Sequence, residues 1–163
     1  MITEMVSGRC TCAEVAYQFQ PPPLIVHCCH CRWCQRETGS AFVINALIET
    51  SRIALLSGQP DSVETPSESG KGQHIIRCPS CRVALWSHYA GMGQGVAFVR
   101  VGTLDNPDLF PPDIHIFTES RQPWVRLPDT IPVRQRYYRR EEVWPEASME
   151  RWVNTTRAQR APP

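Results

Sequence analysis

Eight cysteines fall into three tight groups: "CTC" (Cys10, Cys12), "HCCHCRWC" over positions 27 to 34, and "CPSC" (Cys78, Cys81). Such C-x-C and C-x-x-C steps set sulfurs side by side for one ion, so the clustering favours metal binding over a disulfide framework. The start, "MITEMVSGRCTCAEV", lacks the basic end and continuous apolar run of a secretory signal, and no later apolar stretch approaches bilayer length. The expected location is the cytoplasm, where disulfides rarely persist, and zinc is the leading cofactor.

At 163 residues the chain has the size of one domain, with nothing in its composition that suggests disorder. Formal net charge is +1, and Lys71 is the only lysine, so no whole-protein field draws the chain to nucleic acid. From Val133 onward seven arginines face four glutamates, making the tail about +3 and the rest about −2.

The body reads as strands. In "CTCAEVAYQF", Val15, Tyr17 and Phe19 share one face until Pro21 to Pro23 stop the run. "FVINALIE", "RIALLSG", "HIIRC", "VALWSHY" and "VAFVRVGTL" follow as short apolar or β-branched runs between turn residues. Helical signals are scarce before "WPEASMERWVNT", where Pro145 suits a first turn and Met149, Trp152 and Val153 fall at i, i+3, i+4. The expected architecture is mainly β with a short C-terminal helix, and the closing "RAQRAPP" reads as frayed.

If "CTC" is extended, Cys10 and Cys12 share a face and supply half of a tetrahedron. Cys78 and Cys81 supply the other half from a turn, giving a closed, structural zinc site that joins the N-terminal strand to the middle of the chain. A redox dithiol is the alternative for "CPSC", but the following "RVALWSHY" reads as a strand, not the helix that activates such a thiol.

If "HCCHC" is extended, His27, Cys29 and Cys31 face one way, and Cys28 and His30 the other. Cys34 then completes C-x-C-x-x-C, three thiolates with a fourth place open, which is the catalytic arrangement. His27 or Cys28 closing the tetrahedron would make a second structural site instead. Cys28 is otherwise a small buried hydrophobe, His30 a packing or supporting residue, and His74, His88 and His115 packed or surface histidines.

The segments "GRCTCAEVAYQF", "HCCHCRWCQRETGSAF", "RCPSCRVALW" and "VRVGTLDNPDLFPPDIHIFTESRQPWVRLPDTIP" resemble, in order, the glutathione-dependent formaldehyde-activating enzyme family, whose relatives include centromere protein V. The resemblance implies small coiled β-sheets around zinc, the β-tent type. It also implies a structural zinc at Cys10, Cys12, Cys78 and Cys81 and a catalytic zinc at Cys29, Cys31 and Cys34. The implied activity is a carbon–sulfur lyase interconverting S-hydroxymethylglutathione with glutathione and formaldehyde. The family has glycine after the second knuckle cysteine. Here Arg82 follows Cys81, so either the turn is shaped differently or Arg82 takes a left-handed conformation at some cost. The family-like zinc-binding β domain is taken as residues 1–132, and 133–163 as an arginine-rich extension with the short helix.

In that reading the open position takes either the substrate thiolate or the aldehyde oxygen. Three thiolates make the ion a weaker Lewis acid and favour the thiol role. Glutathione's carboxylates need donors, for which Arg32 and Arg36 are candidates, with Thr38, Gly39 and Ser40 offering hydroxyl or backbone contacts and Trp33 a wall. Two rival readings remain: a lyase of the same fold acting on a different thiol adduct, and a non-enzymatic zinc module binding protein or nucleic acid through "RQRYYRREE".

Overall fold

The computed structural model describes residues 3–160. A three-stranded antiparallel sheet has the order β1 (Val6–Arg9), β2 (Ala16–Phe19), β5 (Ile53–Ser57). A seven-stranded sheet runs β10 (Ile114–Ile116), β3 (Ile25–Cys29), β4 (Val43–Glu49), β9 (Val96–Arg100), β8 (Ala84–Tyr89), β7 (Gln73–Arg77), β6 (Asp61–Thr65), antiparallel except for the parallel β10–β3 pair. The mainly β expectation is met. The alternation in β2 predicts its packing: Val15, Tyr17 and Phe19 are fully buried.

Strand β4 is covered on both faces, which is why it reads as an unbroken apolar run. Ala46 and Ile48 join a core with Tyr17, Phe19, Leu85 and Val99, while Val43 and Leu47 join a second core with Ile25, Phe98, Ile114 and Ile116. Each such aliphatic or aromatic side chain contributes roughly 1.5–3 kcal/mol on burial. Tyr138 and Trp144, from the segment after position 132, are buried in the second core beside Cys29, Cys31 and Cys34.

Helix α2 (Glu146–Arg160) is the expected C-terminal helix and packs Met149 and Trp152 against that core. It continues through 157–160, which the sequence reads as frayed; positions 161–163 lie outside the described residues. Arg151 grips the buried Glu49 carboxylate with Nε–Oε1 at 2.7 Å and Nη2–Oε2 at 2.6 Å, tying α2 to the end of β4.

Two local readings are corrected. "CTC" is not extended: β1 stops at Arg9 and Cys10 opens a turn in which the Cys10 N–H donates to the Val15 carbonyl (3.0 Å) and Ala13 takes φ 61°. And helix is not confined to the C-terminus: the chain after Cys31 forms helix α1 (Arg32–Thr38), seven residues capped by Gly39 at φ 62°. The sequence carries little sign of it because the helix is too short for a repeating apolar stripe. Strands β1, β6 and β10 are also additional to the expected set. β6, "DSVET", sits at an exposed edge and lacks a buried face to betray it.

Candidate metal centres

The first cluster is built from two like turns. The Cys78 N–H donates to the Val83 carbonyl as that of Cys10 does to Val15, and Arg82 takes φ 62° just after Cys81, as Ala13 does after Cys12. Arg82 thus adopts the left-handed conformation. The four sulfurs of Cys10, Cys12, Cys78 and Cys81 lie within 4.8 Å of one another, with Cys10–Cys12 at 3.5 Å and Cys12–Cys78 at 3.6 Å. A tetrahedral zinc with thiolates at about 2.3 Å needs sulfur separations of about 3.8 Å, so the donor set fits that ion. The sulfurs meet although "CTC" is not a strand, because the turn itself places them.

The second cluster is Cys29, Cys31 and Cys34, again within 4.8 Å and all buried. β3 delivers Cys29. Cys31 is the N-cap of α1, its Sγ accepting from the Cys34 N–H at 3.4 Å, and Cys34 comes from the first turn. Donation from the Cys29 and Cys34 thiols, helped by the backbone N–H groups of Cys34 and Trp33, pulls the Cys31 thiol well down despite burial. Cys29, which donates to Cys31, is pushed well up. Negative charge therefore settles first on Cys31, at a helix N-terminus.

A buried cation lies behind this site. Arg100 is 5% exposed, has no carboxylate within ion-pair distance among the described residues, and donates to Asn45 Oδ1 and to Ser87 Oγ (2.9 Å). The Cys29 hydrogen bond lowers the Cys34 thiol, but the Cys31 hydrogen bond and burial push it up to about 12, and the Arg100 charge offsets only part of that rise. Three thiolates around a divalent ion would sum to −1, and Arg100 is the buried cation nearest to hand to offset that charge. One arginine inside an apolar strand gives no sequence signal of this role.

His27 shares the face of Cys29, but it does not join the cluster: its Nε2 lies 2.5 Å from Tyr138 Oη, which in turn accepts from Trp144 Nε1 at 2.8 Å. Burial holds the His27 ring neutral, its pKa lowered to about 3. Cys28 and His30 face the opposite side and meet His115 in a third group within 4.8 Å. That grouping escapes sequence spacing because His115 arrives from β10, paired in register with Cys28. His74 is exposed and His88 is buried.

Above Cys29, Cys31 and Cys34 opens a cavity of about 290 Å³ with a largely apolar lining that includes Tyr89, Met92, Phe98 and Ile116. Trp33 forms part of its wall, and its rim carries Glu68, Lys71, Tyr137 and Arg140. Arg140 is half-buried, its guanidinium 4.4 Å from the Trp152 ring centre, with no carboxylate in ion-pair reach among the described residues. Arg32, Arg36 and Ser40 line a separate shallow depression with Gln122 and Trp124. Arg32 donates to Gln35 Oε1 (2.8 Å), and the Thr38 hydroxyl donates to the Cys34 carbonyl (2.8 Å).

Among the described residues no helix is long and apolar enough to cross a membrane. A crystal structure of a Rhodobacter sphaeroides protein, 19% identical, superposes with a TM-score of 0.50 over 65% of this chain and 96% of that one, a likeness of fold. A search of curated proteins finds no match. The model of the glutathione-dependent formaldehyde-activating enzyme family matches residues 5–120, which span all eight cysteines, and the chain belongs to that family.

Proposed function

We propose that the protein is a zinc-dependent carbon–sulfur lyase acting on a thiol–aldehyde adduct, with S-hydroxymethylglutathione as the preferred substrate. The observation that carries this reading is three buried cysteine sulfurs, with no fourth protein ligand in their group among the described residues, lining an apolar cavity. Cys29, Cys31 and Cys34 would hold zinc, which when bound would offer an open position to the substrate thiol and lower its pKa. In adduct formation a sulfur–carbon bond forms, the carbonyl π pair moves to oxygen, and that oxygen gains a proton while the thiol loses one. Cleavage is the reverse, so no oxidant or reductant is consumed.

The chain's own residues orient and shield. Tyr89, Met92, Phe98 and Ile116 exclude water around the reacting carbon, which favours the adduct over aldehyde hydrate. Lys71 and Arg140 at the rim match the two carboxylates of glutathione, and Glu68 matches its ammonium group. Arg32, Arg36, Thr38 and Ser40 then serve only a substrate that extends past Trp33. Cys10, Cys12, Cys78 and Cys81 hold the structural zinc.

The nucleic-acid reading loses support from the same segment. Tyr138 is buried against His27, Arg136 pairs with Glu119 (3.1 Å), and Arg139 lies 3.9 Å from Glu141 and 3.8 Å from Glu142. The test is magnetisation exchange by NMR between glutathione and its formaldehyde adduct. Exchange above the uncatalysed rate with zinc-loaded protein, lost in Cys31→Ala, is expected; no acceleration by folded, zinc-loaded protein sinks the assignment and moves attention to other thiol adducts.

A further inference from the structure

We propose that Cys28, His30 and His115 form a third metal site, distinct from the two zinc sites, that takes a soft monovalent ion, copper(I). The three donors approach one another as ligands of one small ion do. Cys28 Sγ is 3.6 Å from His30 Nε2, and His30 Nε2 is 3.0 Å from His115 Nδ1. In a three-coordinate site, metal–nitrogen bonds of about 2.0 Å and a metal–sulfur bond of about 2.3 Å give separations of roughly 3.7 Å for N···S, which the cysteine meets, and roughly 3.5 Å for N···N, so the two rings open by about half an ångström on binding. Both separations share His30 Nε2, a single ring nitrogen that faces the thiol and the second imidazole at once. The other ring nitrogens, His30 Nδ1 and His115 Nε2, point away from the cluster and are buried without a partner.

The backbone holds the donors in place before any ion arrives. Cys28 and His115 are register partners in the parallel β3–β10 pair. The His30 N–H donates to the Ile116 carbonyl (3.0 Å), the His115 N–H to Pro132 O (2.9 Å), and the Arg134 N–H to His115 O (2.8 Å). The 132–134 segment covers the outer side of β10, and His115, at 7% exposed, is the least buried of the three.

Charge selects the ion. Neutral imidazoles and a thiolate are the forms in which these side chains ligate a metal. One thiolate and two neutral imidazoles around a monovalent ion sum to zero. A divalent ion would leave a net positive charge buried beside Arg121, which a low-dielectric site resists. Thiolate and imidazole donors together suit copper(I).

The test adds copper(I), supplied as its acetonitrile complex without oxygen, to zinc-loaded protein in competition with bicinchoninate, while a chromogenic indicator reads zinc release. One equivalent held without zinc release is expected, with both nitrogen and sulfur scatterers at the copper K-edge. Cys28→Val, which keeps a small apolar side chain in the core, and His115→Gln should each weaken retention at least tenfold. Copper uptake matched by zinc release, uptake unchanged in both variants, or no uptake by the wild type would each overturn the site. The wild-type measurement decides even if a variant fails to fold.

Discussion

Tyr138 Oη lies 2.5 Å from His27 Nε2, a hydrogen bond that joins the segment beyond the family match to the strand carrying Cys29. Because Tyr138 also accepts from Trp144 Nε1, one hydroxyl satisfies two buried groups. Tyr138→Phe keeps the ring and strands both, so it should cost about 1–3 kcal/mol in urea unfolding. A midpoint equal to wild type would show that the extension is not anchored there.

The two cysteine groups should separate cleanly. If Cys10, Cys12, Cys78 and Cys81 hold a structural zinc that links turns far apart in sequence, Cys78→Ser should melt well below wild type and lose one zinc by elemental analysis. Cys34→Ser should lose the other zinc and all adduct exchange while unfolding close to wild type. Equal destabilisation by both changes would mean the second site is structural too.

If Lys71 and Arg140 receive the carboxylates of glutathione, Arg140→Ala and Lys71→Ala should each raise KM for its adduct about tenfold, near 1.4 kcal/mol of lost binding. The same variants should leave a thiol without carboxylates, such as 2-mercaptoethanol, unaffected. A parallel loss with both thiols would indicate damage to the cavity rather than loss of recognition.

His88 is buried, with Nδ1 3.1 Å from the Val96 carbonyl oxygen, and burial lowers its pKa below the ordinary histidine value of 6.5 although that carbonyl pulls the other way. As pH falls through 6.5 the unfolded chain takes up a proton that the folded chain refuses, so this residue makes stability drop on the acid side. His88→Gln should flatten the melting temperature between pH 7 and pH 5 relative to wild type. An unchanged slope would remove His88 from the account.

Arg82 carries φ 62° at the second knuckle, and its ion pair with Asp61 is exposed. Relief of a left-handed side chain is worth about 1 kcal/mol, more than an exposed pair contributes. Arg82→Gly should raise stability by up to that amount and Arg82→Val should lower it, both read by thermal unfolding. A loss in the glycine variant would mean the Asp61 contact matters more than the backbone.

Strand-forming runs and cysteine spacing are local properties, and they were legible residue by residue. The alternation of Val15, Tyr17 and Phe19 marked a buried face, and Pro145 with Met149 and Trp152 marked α2. Helix α1 was not legible, since seven residues show no period, and its start depends on the Cys31 thiol acting as a cap, a residue type outside the usual N-cap set.

The sequence by itself determined which sulfurs pair locally, because C-x-C and C-x-x-C steps hold their two cysteines close; which pairs meet, and that Cys28 turns away from Cys29, Cys31 and Cys34, came from the fold. Tertiary structure alone decided what surrounds them: Arg100 behind the thiolates, Tyr138 on His27, Arg140 at the cavity rim, and His115 beside Cys28 and His30. Each of these arrives from an element separated by dozens of residues. Strand order, not spacing along the chain, brings such partners within a few ångströms.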